Sequence, residues 1–465
     1  MALKIFNTLS GKKEPFKPLK NKRVNLFVCG PTVYDLSHLG HARTYAAFDV
    51  IVRYLRRAGY EVFYLQNITD IDDKIIVRAK ELNADPLKFS RQMTKEYYKD
   101  AAALKIKSVT KYAKASEFIP QIIRQIQVLL KKGYAYEASD GVYFDISKFP
   151  DYGKLSGQKI KKLKAGARVK IRETKKHPFD FDLWKKKKPG EPAWASPWGA
   201  GRPGWHIEDT AISENFFGPQ YDLHGGAYEL IFPHHESEIA QMEATSGKKP
   251  FVKYWLHTGV LKIGGEKMSK SLGNFITVRD FLEKYPVEIL RFIIVSSHYR
   301  SVIDYNEQLA VQAKHALGRI SEFLERLDKV NQKLKIKNQK YKLKIKKFRE
   351  KFFDYMDDDF NTPRALSVMF DVIKTSNASI DKNQLDKDAA REIKNFFGEA
   401  DAIFGILPPR KKIKLPKKIA ALVEQREKAR QEKNWALADQ LRAETERLGY
   451  KIEDTPKGPT VKFDF

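Results

Sequence analysis

Residues 24–45 read VNLFVCGPTVYDLSHLGHARTY. The apolar run Val24–Cys29 has the length of a strand, and Gly30-Pro31 ends it. From Thr44 to Arg57 apolar residues recur at helical spacing, with Ala47, Phe48, Ile51, Tyr54 and Leu55 on one face. Ala58-Gly59 closes that helix, and Glu61–Leu65 alternates as a second strand. A strand–loop–helix–strand unit of this size predicts a parallel sheet whose ligand site lies beyond the carboxyl ends of its strands. Cys29 sits at such an end, and two histidines follow it.

Outward from this unit the pattern changes several times. Residues 82–135 read as helical, with apolar spacing around Phe118, Ile122, Ile126 and Leu129-Leu130. Residues 141–205 carry many Gly, Pro and Trp, a short strand at Val142–Ile146, and basic clusters at Lys161–Lys164 and Lys185–Lys188; they read as an inserted, loop-rich subdomain. The stretch 230–300 returns to α/β character, and 305–405 reads as mostly helical. Lys329–Lys347 is a solvated helix or loop. The linker Pro408–Lys418 precedes two helices split near Asn434 and a hairpin around Pro456–Pro459.

With 465 residues and 42% hydrophobic side chains, the chain has material for several folded cores, which excludes a wholly disordered protein. No apolar run reaches the roughly 18 residues of a membrane span, and the lysine-rich first residues have no signal-peptide core. Lys+Arg is 86 against 58 Asp+Glu, a net charge of +28. Such a chain attracts polyanions, although a generally basic proteome gives the same balance. The single cysteine forbids an internal disulfide and a zinc ribbon and fits a reducing, cytoplasmic setting. Gly199–Gly204 matches G-x-G-x-x-G but follows Pro197-Trp198 instead of a strand, so it is not a dinucleotide site. No Gly-Lys-Ser/Thr occurs, and His235-Glu236-Ser237-Glu238-Ile239 lacks the second histidine of a zincin helix.

Two short elements carry chemistry together. His38-Leu39-Gly40-His41 stands at a helix mouth, where free N–H groups and the dipole favour phosphate and Gly40 permits close approach. Two imidazoles there can donate hydrogen bonds to a phosphate gaining charge. Lys267-Met268-Ser269-Lys270-Ser271 lies between Gly264-Gly265 and Gly273-Asn274, a loop able to close on polyphosphate. Each element alone reads more readily as structural or surface histidines or as a surface lysine turn.

In this order and separation, the pair resembles the HIGH and KMSKS signatures of class I aminoacyl-tRNA synthetases. Cys29-Gly30-Pro31-Thr32-Val33-Tyr34-Asp35, Asn67-Ile68-Thr69-Asp70-Ile71-Asp72-Asp73-Lys74, Gly201–Glu208, Phe232-Pro233-His234-His235-Glu236 and Met356–Pro363 follow in the order of one family, the cysteinyl-tRNA synthetases. Trp435-Ala436-Leu437-Ala438-Asp439 is similar to that family's anticodon-binding end. The resemblance spans essentially the whole chain. It implies an α/β class I Rossmann-like catalytic core with an inserted subdomain, then an α-helical bundle and a small mixed α/β C-terminal domain. The expected divisions are 1–110 and 206–304 for the two halves of the core, 111–205 for the insertion, 305–405 for a tRNA-binding bundle and 410–465 for the anticodon-binding domain.

The implied reaction joins cysteine and ATP into an adenylate and passes the cysteinyl group to tRNA(Cys). By resemblance His38, His41, Lys267 and Lys270 are catalytic, Gly40 and Ser269 join them around ATP, and Mg2+ accompanies the nucleotide. Cys29, Thr69, Trp205 and His234 match the amino-acid pocket. One Zn2+ per chain is implied, selecting the substrate thiol, because a neutral pocket separates near-isosteres by only about 1–3 kcal/mol while zinc favours sulfur. Cys29, His234 and Glu238 match three of its ligands. The fourth departs: the family has a cysteine where this chain has Asp209. A carboxylate keeps the charge and zinc accepts it at about 2.0–2.2 Å, so a Cys29/Asp209/His234/Glu238 site is expected; the alternative is that Asp209 turns away. Gly225-Gly226-Ala227-Tyr228-Glu229 departs from the family's third Gly and Asp, and no ligand role passes to Glu229. A monomer is expected by resemblance alone. Two other functions stay open: ligation of cysteine to a small amine, and RNA binding by an inactive paralogue.

Overall fold

The computed structural model describes residues 2–158, 174–268, 273–330, 339–408, 415, 417–448, 450–455 and 458–463. Five parallel strands form its central sheet: β1 (Arg23–Val28), β2 (Glu61–Ile68), β3 (Lys111–Lys114), β4 (Tyr221–Ala227) and β5 (Val252–Thr258). Their spatial order is β5-β4-β1-β2-β3. The order reverses between β1 and β4, so the crevice beyond those two strands is the topological switch point.

The composition of β1 explains its central place. Val24, Leu26, Phe27 and Val28 are fully buried, as expected of a parallel strand covered on both faces. Strand alternation splits them: Val24, Leu26 and Val28 enter one hydrophobic core, while Phe27 and Cys29 enter another. Helix α1 (Leu39–Arg57) packs in the first core through Phe48, Ile51 and Leu55. It starts five residues earlier than the apolar periodicity indicates, because His38 caps it. Residues 82–135 are not continuously helical. The helix Pro86–Ala103 gives way to β3, and helix resumes at Ile119–Lys131. A four-residue Lys-Tyr-Ala-Lys edge strand shows no period of its own; its pairing with Leu65–Ile68 of β2 makes it a strand.

Between β3 and β4 the chain builds a separate four-stranded antiparallel sheet from Ala135–Ala138, Gly141–Phe144, Phe181–Lys186 and Gly201–Pro203. Helix α2 (Trp205–Phe217) leads back to the core, and helix α3 (Glu236–Ser246) lies between β4 and β5. After the core come four long helices, Glu307–Asp328, Gln339–Asp357, Thr362–Asp381 and Lys387–Phe404, whose apolar faces continue the first core. Two further helices, Lys417–Gln431 and Trp435–Arg447, and the hairpin Tyr450–Thr455/Gly458–Phe463 end the chain around a small core of their own. Of the basic stretches, Lys161–Lys164, part of Lys329–Lys347 and part of the 408–418 linker lie outside the described residues. Among the described residues, no helix is long and apolar enough to cross a membrane.

Two polar clamps join core to bundle. Asp359 is fully buried; its carboxylate accepts from the Phe6 N–H and the Tyr299 hydroxyl, each at 2.8 Å, and from Arg300 Nε at 2.9 Å. Arg291 spans three elements, donating to Asp49 Oδ2 at 2.9 Å, Phe404 O at 2.9 Å and Leu104 O at 3.1 Å. Removing one partner of a buried pair leaves an uncompensated charge and costs about 3–5 kcal/mol. Arg53 also reaches Asp49, at 2.8 Å, and softens the loss. Arg291→Met is expected to lose roughly 3 kcal/mol, read as a lower urea midpoint, with the secondary structure of the folded protein unchanged by circular dichroism.

Candidate active site

A cleft of about 740 Å³ opens at the switch point, lined among others by Cys29, Tyr34, His38, His41, Lys74, Trp205, Glu229, Lys267 and Met268. Its floor requires glycine at residue 30, where an added Cβ would sit 1.7 Å from the Asn67 carbonyl oxygen. The Gly30 N–H instead donates to the Asn67 side chain at 2.5 Å, tying the end of β1 to the end of β2.

His38 is the N-cap of α1. Its Nδ1 accepts from the Gly40 N–H at 3.0 Å and the His41 N–H at 3.4 Å, and His41 Nδ1 accepts from the His38 N–H at 3.4 Å. With both Nδ1 atoms accepting, each neutral ring carries its proton on Nε2. The rings stack with centroids 3.8 Å apart. Burial lowers the His38 pKa to about 4, helped by Lys267 and opposed by Glu229. Burial, then His38 and Lys74, pushes His41 well below its ordinary value.

The lysine loop meets this helix mouth directly. Leu39 N–H donates to Ile276 O at 3.1 Å, and Val278 N–H donates to Ser37 O at 2.8 Å. Met268 packs over Gly40, where an added Cβ would stand 3.3 Å from its methyl and 2.8 Å from the His38 ring. Lys267 pairs with Glu229 across the cleft. Ser269 and Lys270 lie outside the described residues.

Below the cleft is a buried acidic cluster. Cys29, Glu208, Asp209 and Glu238 are each 5% exposed or less, so water cannot offset their charge. Cys29, Asp209, His234 and Glu238 place ligand atoms within 4.8 Å of one another. His234 Nε2 is 3.1 Å from both Asp209 Oδ2 and Glu238 Oε1. Asp209 is turned inward and held there by Asn67 Nδ2 at 2.5 Å. Helix α2 presents Trp205, Glu208 and Asp209 on one side through i, i+3, i+4 spacing, and α3 begins just after His234. Burial first, then Asp209, raises the pKa of Cys29, Glu208 and Glu238. Among the described residues no lysine or arginine pairs with any of these acids. Glu238 Oε2 is buried with no hydrogen-bond partner. An excess of buried anionic donors and an orphaned carboxylate oxygen fit a divalent cation.

Trp205 stacks on His234 with centroids 4.2 Å apart and forms part of the cleft wall. Thr69 is buried, and its hydroxyl donates to Glu208; neither it nor His234 lines the cleft. Sequence reasoning did not find His224, His235 and His257 packed behind Cys29, nor Glu229 and Lys74 in the cleft wall. The register was the missing signal for His224: it stands opposite Phe27 on β1, two residues from Cys29.

The doubly wound sheet with a histidine-capped helix and a lysine loop at its switch point has the architecture of a class I tRNA synthetase. Residues 15–315 match the model for tRNA synthetases class I (C) catalytic domain, 351–408 the DALR domain, and 413–461 the cysteinyl-tRNA ligase anticodon binding domain. A solved Mycobacterium tuberculosis methionyl-tRNA synthetase in complex with methionyl-adenylate shares the fold, with a TM-score of 0.63 at 14% identity over 82% of this chain and 89% of that one. A cysteine–tRNA ligase from Thermococcus onnurineus is 47% identical over 99% of both chains. One from Carboxydothermus hydrogenoformans is 45% identical over 98% of this chain and 99% of its own. The chain belongs to the cysteine–tRNA ligase family.

If burial keeps His38 neutral, its ring should resist protonation far below the ordinary histidine value of 6.5. A 15N-imidazole NMR titration is expected to give a midpoint at about 4 and the Nε2–H tautomer above it. The unfolded chain binds the proton first, so the His38 contribution to stability is complete above pH 6.5 and is lost as pH falls toward 4.

Proposed function

We propose that this chain ligates cysteine to tRNA(Cys) through a cysteinyl-adenylate. The observation that carries the reading is the cleft where neutral His38 and His41 face Lys267 above a buried thiol and carboxylates. In the first step a carboxylate oxygen of cysteine attacks the α-phosphorus of ATP and pyrophosphate leaves. His38 and His41 donate Nε2–H groups to phosphate oxygens whose charge grows, without adding a cation that would have to be desolvated. Lys267 exchanges Glu229 for the polyphosphate as the loop closes, with Lys270 and Ser269 joining it; Gly40 leaves room for the nucleotide, and Mg2+ enters with it. In the second step a hydroxyl of the tRNA's terminal ribose attacks the cysteinyl carbonyl and AMP leaves.

Cys29, Asp209, His234 and Glu238 would hold one zinc ion beneath the amino-acid site. Bound there, zinc supplies affinity for the substrate's sulfur over a serine hydroxyl. The protein's part is to keep Asp209 aimed inward through Asn67, and to keep His234 oriented under Trp205. Thr69 acts at one remove, by holding Glu208. Along the chain, 1–110 and 206–304 supply the catalytic halves, 111–205 the connecting insertion, 305–405 a tRNA-binding bundle and 410–465 the anticodon contact. The match of residues 413–461 to an anticodon binding domain favours tRNA over a small amine as acceptor. The working form is a cytoplasmic monomer.

The test is cysteine-dependent ATP–pyrophosphate exchange, with serine as control, followed by charging of tRNA(Cys). Exchange with cysteine and charging of the tRNA are expected; exchange without charging would return the small-amine acceptor. His38→Asn separates two roles, since asparagine caps a helix as well as any residue but places no N–H where Nε2 stood. It is expected to keep the thermal midpoint and to lower exchange by about 100-fold or more. The charge of +28 adds that tRNA affinity falls steeply with salt, as a negative slope of log affinity against log salt.

A further inference from the structure

The pocket behind Cys29 contains a second set of metal donors. Cys29 Sγ lies 3.3 Å from His224 Nε2 and 3.0 Å from His235 Nε2. Glu238 closes the group: its Oε2 is 3.6 Å from His224 Nε2, and its Oε1 is 4.0 Å from His235 Nε2 and 3.9 Å from Cys29 Sγ. All four residues are buried, and their ligand atoms lie within 4.8 Å of one another. With bonds of about 2.0–2.3 Å, neighbouring corners of a tetrahedral zinc shell are about 3.3–3.8 Å apart. The observed spacings bracket that range.

The outer partners suit ligation as well. His224 Nδ1 meets the Tyr221 hydroxyl at 2.6 Å, and His235 Nδ1 meets His257 Nε2 at 2.8 Å. His257 Nδ1 in turn meets Thr8 Oγ1 at 2.8 Å. One consistent proton assignment runs outward: Nδ1–H of His224 to Tyr221, Nδ1–H of His235 to His257, and Nδ1–H of His257 to Thr8. It leaves both Nε2 lone pairs on the side of Cys29, which is how ligating histidines are held by their outer partners. Trp255 stacks on His224 at 4.4 Å and fixes its plane. The orphaned Oε2 of Glu238 points into the same space. With thiolate and carboxylate bound, this set carries two negative charges against three for the set with Asp209, and two imidazoles suit zinc better than a second carboxylate.

We propose that Cys29, His224, His235 and Glu238 form a second zinc position that shares two ligands with the first, so that one ion is retained even when Asp209 does not bind it. The proposal rests on the reading that this chain holds zinc beneath the cleft. It makes the departure at residue 209 tolerable: the ion moves toward the histidines instead of leaving.

The experiment measures zinc in full-length protein purified without chelator, for wild type, Asp209→Asn, and Asp209→Asn combined with His224→Gln and His235→Gln. Cobalt(II) in place of zinc reports thiolate ligation through its sulfur charge-transfer band, and circular dichroism reports folding. Wild type and Asp209→Asn are expected to carry about one ion per chain, and the triple variant less than about a tenth. The cobalt–sulfur band should persist in Asp209→Asn. One ion in wild type and none in Asp209→Asn overturns the proposal and leaves the zinc reading standing. A triple variant that keeps its ion also overturns the proposal. Wild type without metal overturns the zinc reading and the proposal with it. Should the amide variant fail to fold, Asp209→Ser is held to the same outcomes.

Discussion

Three register pairs between β1 and β4, Leu26 with Leu223, Phe27 with His224 and Val28 with Gly225, bring the two halves of the catalytic core side by side. Everything chemical depends on that contact. It places Cys29 against the histidines of β4 and the turn after it, and it opens the cleft at the point where strand order reverses. The short backbone links between Ser37–Leu39 and Ile276–Val278 lie beside the place where Met268 packs over the capped helix. None of these contacts is local. Each half alone presents a strand end with no partner.

The parts legible in the sequence were those with a local cause. The apolar run of β1, the periodicity of α1, the split helices near Asn434 and the order of the signature motifs each show within a few residues. What stayed hidden came from tertiary partners. Lys111–Lys114 is a strand only because β2 pairs with it. One exception is local: helix α1 begins at Leu39 because a histidine, not a usual capping residue, accepts its first N–H groups. His224 and His257 carry no local signal; the register of the parallel sheet brings His224 beside the thiol, and His257 stands behind it on His235. Glu229 stood in a motif that departs from the family's, and its place as the partner of Lys267 depends on the cleft having two walls.

The electrostatics of the site are arranged by depth. At the mouth, charged Lys267 and Glu229 are solvated and free to exchange partners. One layer in, burial keeps His38 and His41 neutral, so they offer hydrogen bonds without repelling the lysines. At the bottom, the thiol and carboxylates lie together with no lysine or arginine among the described residues paired to them, and burial pushes the Cys29, Glu208 and Glu238 pKa values up. The same low-dielectric setting that makes the acids costly alone makes them strong ligands for a divalent ion.

The pairing of β1 with β4 also has a consequence in time. Val28 and Gly225 are neighbours in space but roughly 200 residues apart along the chain. A ribosome adding about 5–20 residues per second needs on the order of 10–40 s to make that interval. Throughout it β1 has lost neither its apolar side chains nor its open edge, while the partner that will cover that edge does not yet exist. The inserted antiparallel sheet, whose strands pair with their sequence neighbours, can complete itself meanwhile. Synthesis therefore passes through a stage in which the strands of the insertion can pair with one another while the catalytic centre, and the core that the insertion shares with it, is still half a molecule.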